Sequence, residues 1–178
     1  FDIAMNKEIG KRMGKKLVIK NMEFKSLIGA MESDSINAII AGMTKTEKRE
    51  KAVDFSDSYY TTNQAIILKK DSKITKLAQL DGKKIGVQEG TTGDLIKFGD
   101  GKKAKVLVKG AKVKRFKKGV DAVMDLKNGS VDAVVIDELT ANEFVKKNAK
   151  KLKIVIDSAG SEYYCIALTK GNTAHKEE

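Results

Sequence analysis

The chain is 178 residues long, 41% hydrophobic and 33% charged, with enough apolar mass for one generous domain or two small lobes. No apolar run approaches the roughly 20 residues of a spanning helix, and a single cysteine, Cys165, excludes an internal disulfide framework and a cysteine-rich zinc site. The formal charge of +11 points toward polyanions, but the lysines are scattered and the arginines are only Arg12, Arg49 and Arg115, which argues for a solvated lysine surface and against nucleic-acid readout. The one histidine, His175, stands in a polar tail, which sets aside Ser-His-Asp and Cys-His catalysis. Neither a metal nor a cofactor is expected.

Helix-period and strand-like runs alternate along the chain. Phe1, Ile3, Met5, Ile9 and Met13 mark a helix. No secretory leader pattern stands ahead of it, so a further segment upstream is expected. Residues 16–21 (KLVIKN) alternate as a strand, and Phe24, Leu27, Ile28 and Met31 return to helical spacing. Residues 36–41 (INAIIA) read as a strand buried on both faces, as parallel strands are. A β-rich stretch covers residues 59–69. Beyond it a strand at residues 83–88 meets the turn Glu89-Gly90-Thr91-Thr92-Gly93-Asp94 and a short helix. Another strand covers 112–116. Val120, Val123, Met124 and Lys127 mark a helix closed by Asn128-Gly129. Residues 131–136 form a buried strand and 138–148 a helix, and 152–156 and 162–168 are the last two strands.

The helix-then-strand segments ending at Ile40 and at Val135 echo one another, so each half reads as a small parallel α/β unit. Ligands of such sheets sit at the carboxyl ends of strands, which directs attention to the residues after Ile40, Val87 and Ile136. After Ile40, Gly42 permits close backbone approach. Thr44 or Thr46 can cap the helical turn carrying Arg49, whose planar fork suits a carboxylate; the plainer alternative is a capped helix with a surface arginine. After Val87 comes a glycine-bounded turn, Gln88 to Gly93, which is either an anion cradle or a simple strand-to-helix turn. After Ile136, Asp137 either caps the next helix or binds a cation.

Taken together, these stretches resemble the amino-acid-binding family of type II periplasmic solute-binding proteins of ABC importers. The matching motifs are Phe1-Asp2-Ile3, Met22-Glu23-Phe24-Lys25-Ser26-Leu27-Ile28, Ala41-Gly42-Met43-Thr44 with Glu47-Lys48-Arg49, and residues 53–60 (VDFSDSYY). They continue through residues 86–93 (GVQEGTTG), residues 132–137 (DAVVID) and Glu162-Tyr163-Tyr164, in an order that covers nearly the whole chain.

The resemblance implies a two-lobed α/β fold of parallel sheets flanked by helices, joined by two hinge strands. Lobe 1 would span residues 1–69 with 162–178 returning to it, and lobe 2 residues 70–161. It also implies a ligand-binding set of Phe24, Ala41, Gly42, Met43, Thr44, Arg49, Gln88, Glu89, Thr91, Thr92 and Asp137. Arg49 would take the carboxylate of an amino acid, helped by Thr44 and the Thr92 amide. Asp137 and the Gly42 carbonyl would hold the ammonium. Phe24 would stack on the ligand side chain, with Gln88 and Glu89 at its far end, which favours arginine or lysine and then glutamine. The partner would be an ABC transporter permease, and the location periplasmic or, as a lipoprotein, the extracellular face; a monomer is expected.

The sequence departs from the family in several places. Gly29 and Ser58 stand where proline is usual, and Cys165 where glycine is common. The family's first strand before Phe1 and its closing helices after Gly171-Asn172 are expected to be missing. Two rivals share the scaffold: a cyclohexadienyl or arogenate dehydratase, for which Glu89 is the unassigned acid/base carboxylate, and the sensor domain of a receptor.

Overall fold

In the computed structural model, residues 1–97 and 108–171 are described; His175 and the other residues 172–178, assigned from sequence to lobe 1, lie outside them. The chain forms two compact units, Phe1–Thr61 with Glu162–Glu178, and Thr62–Ser161.

The first unit opens with α1 (Asp2–Arg12). A 3-10 turn, Phe24–Ser26, then leads into α2 (Leu27–Glu32). Strand β1 (Ala38–Ile39) and the single-turn helix α3 (Glu47–Glu50) follow, before the long strand β2 (Val53–Lys69). Its core gathers Leu27, Met31, Ile39, Met43, Val53, Phe55, Cys165 and Ala167.

Two sequence expectations fail in this unit. Residues 15–20 have no regular structure, and Leu17, Val18 and Ile19 are 41, 75 and 52% exposed. A strand needs a hydrogen-bonded neighbour and an apolar surface to cover, and β-propensity alone supplies neither. The doubly buried parallel strand at 36–41 shrinks to Ala38–Ile39. It pairs antiparallel with the last strand, and only Ile39 of the two is buried.

The second unit carries the parallel sheet. Its elements are β3 (Lys84–Gln88), α4 (Thr92–Lys97), β4 (Lys112–Phe116), α5 (Gly119–Asn128), β5 (Ala133–Asp137) and α6 (Glu138–Lys146). Strand β3 pairs in parallel with both β4 and β5, and β2 closes onto β5 antiparallel, with Gln64 opposite Asp137. Period-two alternation sorts the side chains. Ala65, Ile67, Val134 and Ile136 face Ala122, Val123 and Leu126 of α5. Ile66, Leu68, Ala133 and Val135 join Ile85, Val87 and Leu80 on the opposite face. On α5 the apolar positions Val120 and Met124, counted from sequence as part of its stripe, are 44 and 55% exposed.

The two strands expected at 152–156 and 162–168 are one strand, β6 (Leu152–Thr169). Residues 157–161 between them are extended as well. Among the described residues the strand order is β1-β6-β2-β5-β3-β4. Strands β2 and β6 each supply residues to both units.

Candidate functional site

In the first unit, the chain leaves β1 and turns through Ala41, Gly42, Met43 and Thr44. Gly42 holds φ +56°, and a Cβ there would lie 3.2 Å from two ring carbons of Tyr164; glycine meets both demands. The turn is bound to β6. Cys165 N–H donates to the Met43 carbonyl at 3.0 Å, Lys45 N–H donates to the Tyr163 carbonyl at 3.3 Å, and Thr44 forms an antiparallel bridge with Tyr164.

Arg49, 7% exposed, lies inside this arrangement. A buried guanidinium needs acceptors, and Arg49 Nη1 donates to the Thr44 carbonyl at 2.6 Å. Its central carbon stands 5.4 Å from the centroid of the Phe24 ring, a cation–π contact. Thr46, not Thr44, caps α3, accepting from Arg49 N–H at 3.3 Å. The Thr44 hydroxyl is thereby available to donate to Glu162 Oε2 at 2.8 Å. Arg49, Thr44 and Phe24 are therefore brought together, whereas the Met43 side chain belongs to the core. Beside Gly42, the Tyr59 hydroxyl donates to Asp2 Oδ1 at 3.3 Å. Burial first, and the Asp2 charge second, push this phenol well above its ordinary value.

In the second unit, the turn from Gln88 to Gly93 joins β3 to α4. The Thr91 hydroxyl donates to the Gln88 carbonyl at 2.8 Å and accepts from Asp94 N–H at 3.4 Å. Glu89 N–H donates to the Phe116 carbonyl of β4 at 2.9 Å. Gln64, 2% exposed on β2, links the two candidate residues that sequence reading had left apart. Its Nε2 donates to Thr92 Oγ1 at 3.3 Å and to Asp137 Oδ1. Asp137 occupies the N-cap position of α6 but makes no side-chain capping bond, so the capping alternative is overturned. Gln88 and Glu89 are half-buried, and Gln88 Oε1 lies 3.4 Å from where a Cβ on Gly119 would stand.

Sequence reasoning missed Gln64, Glu162 and the pair Asp94–Arg115. Gln64 was visible as a polar residue opening the apolar run 65–68 of β2. Arg115 is one of only three arginines in the chain, a scarcity it shares with Arg49. Glu162 opens the matching motif Glu162-Tyr163-Tyr164 but carried no assigned role, because its partner Thr44 is distant in sequence.

A family model described as "Bacterial extracellular solute-binding proteins, family 3" matches residues 1–172. The chain belongs to this family. Among its relatives, the "Arginine-binding extracellular protein ArtP" of Bacillus subtilis is 36% identical over 164 residues, 91% of this chain and 62% of that protein. The "Probable histidine-binding protein" of Campylobacter jejuni is 34% identical over 171 residues, 96% of this chain and 64% of that protein. The chain therefore spans less than two thirds of the length of these curated relatives. A solved structure, "An ancestral arginine-binding protein bound to arginine", matches with a TM-score of 0.88 at 42% identity over 99% of this chain and 76% of that one. The solute-binding protein thus has the type II periplasmic-binding-protein fold, as its sequence motifs imply. Among the described residues no helix is long and apolar enough to cross a membrane.

Proposed function

We propose that this solute-binding protein captures a free L-amino acid with a cationic side chain, arginine or lysine ahead of glutamine, and delivers it to an ABC permease without chemical turnover. One observation carries the reading. A guanidinium 7% exposed is held by the Thr44 carbonyl and the Phe24 ring, a buried planar cation of the kind that recognises carboxylates in two-point fashion.

In this reading Arg49 takes the α-carboxylate with the Thr92 amide and with the Thr44 hydroxyl, which exchanges its bond to Glu162 for one to the ligand, and Asp137, oriented by Gln64, takes the α-ammonium with the Gly42 carbonyl. Phe24 offers its ring to the side chain, and Gln88 and Glu89 offer oxygen acceptors to a distal cation. The arginine and histidine named for its relatives support a basic ligand. The protein acts as a monomer on the outer side of the cytoplasmic membrane. A thermal-shift screen of the twenty amino acids tests this. Arginine and lysine should raise the melting temperature most, because a ligand at 100 times its Kd adds about 2.7 kcal/mol. No shift with any amino acid would refute the reading, and conversion of arogenate or prephenate would replace it with a dehydratase.

A further inference from the structure

We propose that Asp94 and Arg115 are positioning residues for amino-acid binding: together they hold the Gln88–Gly93 turn in the shape that presents Thr91 and Thr92. The inference rests on the function proposed above and extends it to two residues that do not touch the ligand.

The turn needs an external anchor. Two of its six residues are glycine, so ordering it costs more conformational entropy than ordering an average segment. Asp94, 1% exposed, provides that anchor. Its Oδ2 accepts from Gly90 N–H at 3.2 Å, and its own N–H donates to Thr91 Oγ1 at 3.4 Å. Its Oδ1 pairs with Arg115 Nε at 2.8 Å. One carboxylate thus spans the turn from Gly90 to α4 and ties it to β4, where the bond from Glu89 N–H to the Phe116 carbonyl adds a second tie one residue along. One oxygen of Asp94 accepts from the turn and the other faces the Arg115 guanidinium, so the carboxylate serves the turn itself.

Arg115 is more than a decorative surface charge. An exposed ion pair contributes little, but here one partner is almost fully buried and the other is only 39% exposed. A carboxylate in that position keeps its charge only while it is paired. Among the described residues the charged groups facing Asp94 are Arg115 from β4 and Glu89 from the turn itself. Burial, ahead of the opposing Gly90 amide and Arg115, moves the Asp94 carboxyl up from the ordinary aspartate value. Acidification therefore dissolves the ion pair at a pH where exposed aspartates are still charged, and the affinity for an amino acid falls with it.

The test uses hydrogen exchange of the ligand-free protein together with calorimetric titration of L-arginine as a function of pH, on wild type, Arg115→Ala, Arg115→Lys and Asp94→Asn. In Arg115→Ala the amides of residues 89–94 should exchange at least tenfold faster while those of β5 are unchanged, and arginine should bind at least tenfold more weakly. Arg115→Lys, which restores the charge, should recover part of both. Asp94→Asn should weaken binding and flatten its acid dependence. Unchanged exchange in the turn, or arginine affinity and pH profile within twofold of wild type in Arg115→Ala and Asp94→Asn, overturns the proposal. A wild-type protein that binds no amino acid refutes the proposed function instead, and the exchange of the turn then still decides whether the pair holds it.

Discussion

Substituting Gly93 by alanine would test the packing on which the second unit's candidate residues depend. A Cβ on Gly93 would stand 2.6 Å from Gln64 Oε1 and 3.5 Å from both Gln64 Cδ and Val135 Cγ1. The contact at 2.6 Å is inside any real approach, so a neighbour must move. Val135 is 1% exposed in the middle of β5. Gln64 is flexible in principle, but its amide is tied to Thr92 and Asp137. If the backbone shifts, overpacking costs about 1–3 kcal/mol. If Gln64 swings away instead, it gives up a hydrogen bond to a carboxylate, worth about 1.5–3 kcal/mol. Both routes converge on a loss of about 2 kcal/mol, a large share of the roughly 5–15 kcal/mol that stabilises a typical domain. Gly29→Ala is the matched control. It lies in α2, its added Cβ meets nothing within 4 Å, and removing a helical glycine should gain about 0.5–1 kcal/mol. Urea unfolding of both variants reads the result. A Gly93→Ala protein as stable as wild type would refute the claim that Gln64 is fixed in place.

Further outcomes follow from the same contacts. Cys165 is 2% exposed, and burial, ahead of the opposing Lys45 charge, pushes its thiol up from the ordinary value; it should resist a thiol reagent in the native state and react after unfolding. Cys165→Ala should cost about 1 kcal/mol through its small cavity and leave amino-acid affinity nearly unchanged. For Asp94 the sign is opposite to that of a typical salt-bridged carboxylate. Its folded-state value is raised by burial, so the folded protein takes up the proton first as pH falls. Wild type should therefore gain stability relative to Asp94→Asn between neutral pH and about pH 4, measured by urea unfolding at several pH values. The same acidification should weaken ligand binding, and a parallel change of stability and affinity would contradict the assignment.

The second unit was legible in the sequence nearly element by element, because its strands alternate between two covered faces and its turns carry glycine. Residues 84–88, 112–116 and 133–137 all formed strands close to their expected bounds. The first unit was less legible. Residues 16–21 have the pattern of a strand, and pattern reports what a segment could pair with, not whether a partner stands beside it. The family motifs led to Arg49, Thr44, Thr92 and Asp137, which lie in α3, in the turn before it, at the start of α4 and at the end of β5. They did not lead to Gln64 or Asp94, which orient those residues from positions where a sequence shows only an ordinary polar residue, and they gave Glu162 no role although it lies in a matching motif. Cross-strand pairing places Gln64 opposite Asp137, and such proximity exists only after folding.

Calorimetric titration of L-arginine into the wild-type protein, Arg49→Ala and Asp137→Ala tests the central claim most directly. Wild type should bind one arginine per chain. Removing either partner leaves a desolvated ligand charge uncompensated and should cost on the order of 3–5 kcal/mol, several hundred-fold or more in affinity. If both residues served only the local structure around them, each substitution would lower stability and leave affinity within a few-fold of wild type. That second result would contradict the assignment of Arg49 to the carboxylate and Asp137 to the ammonium.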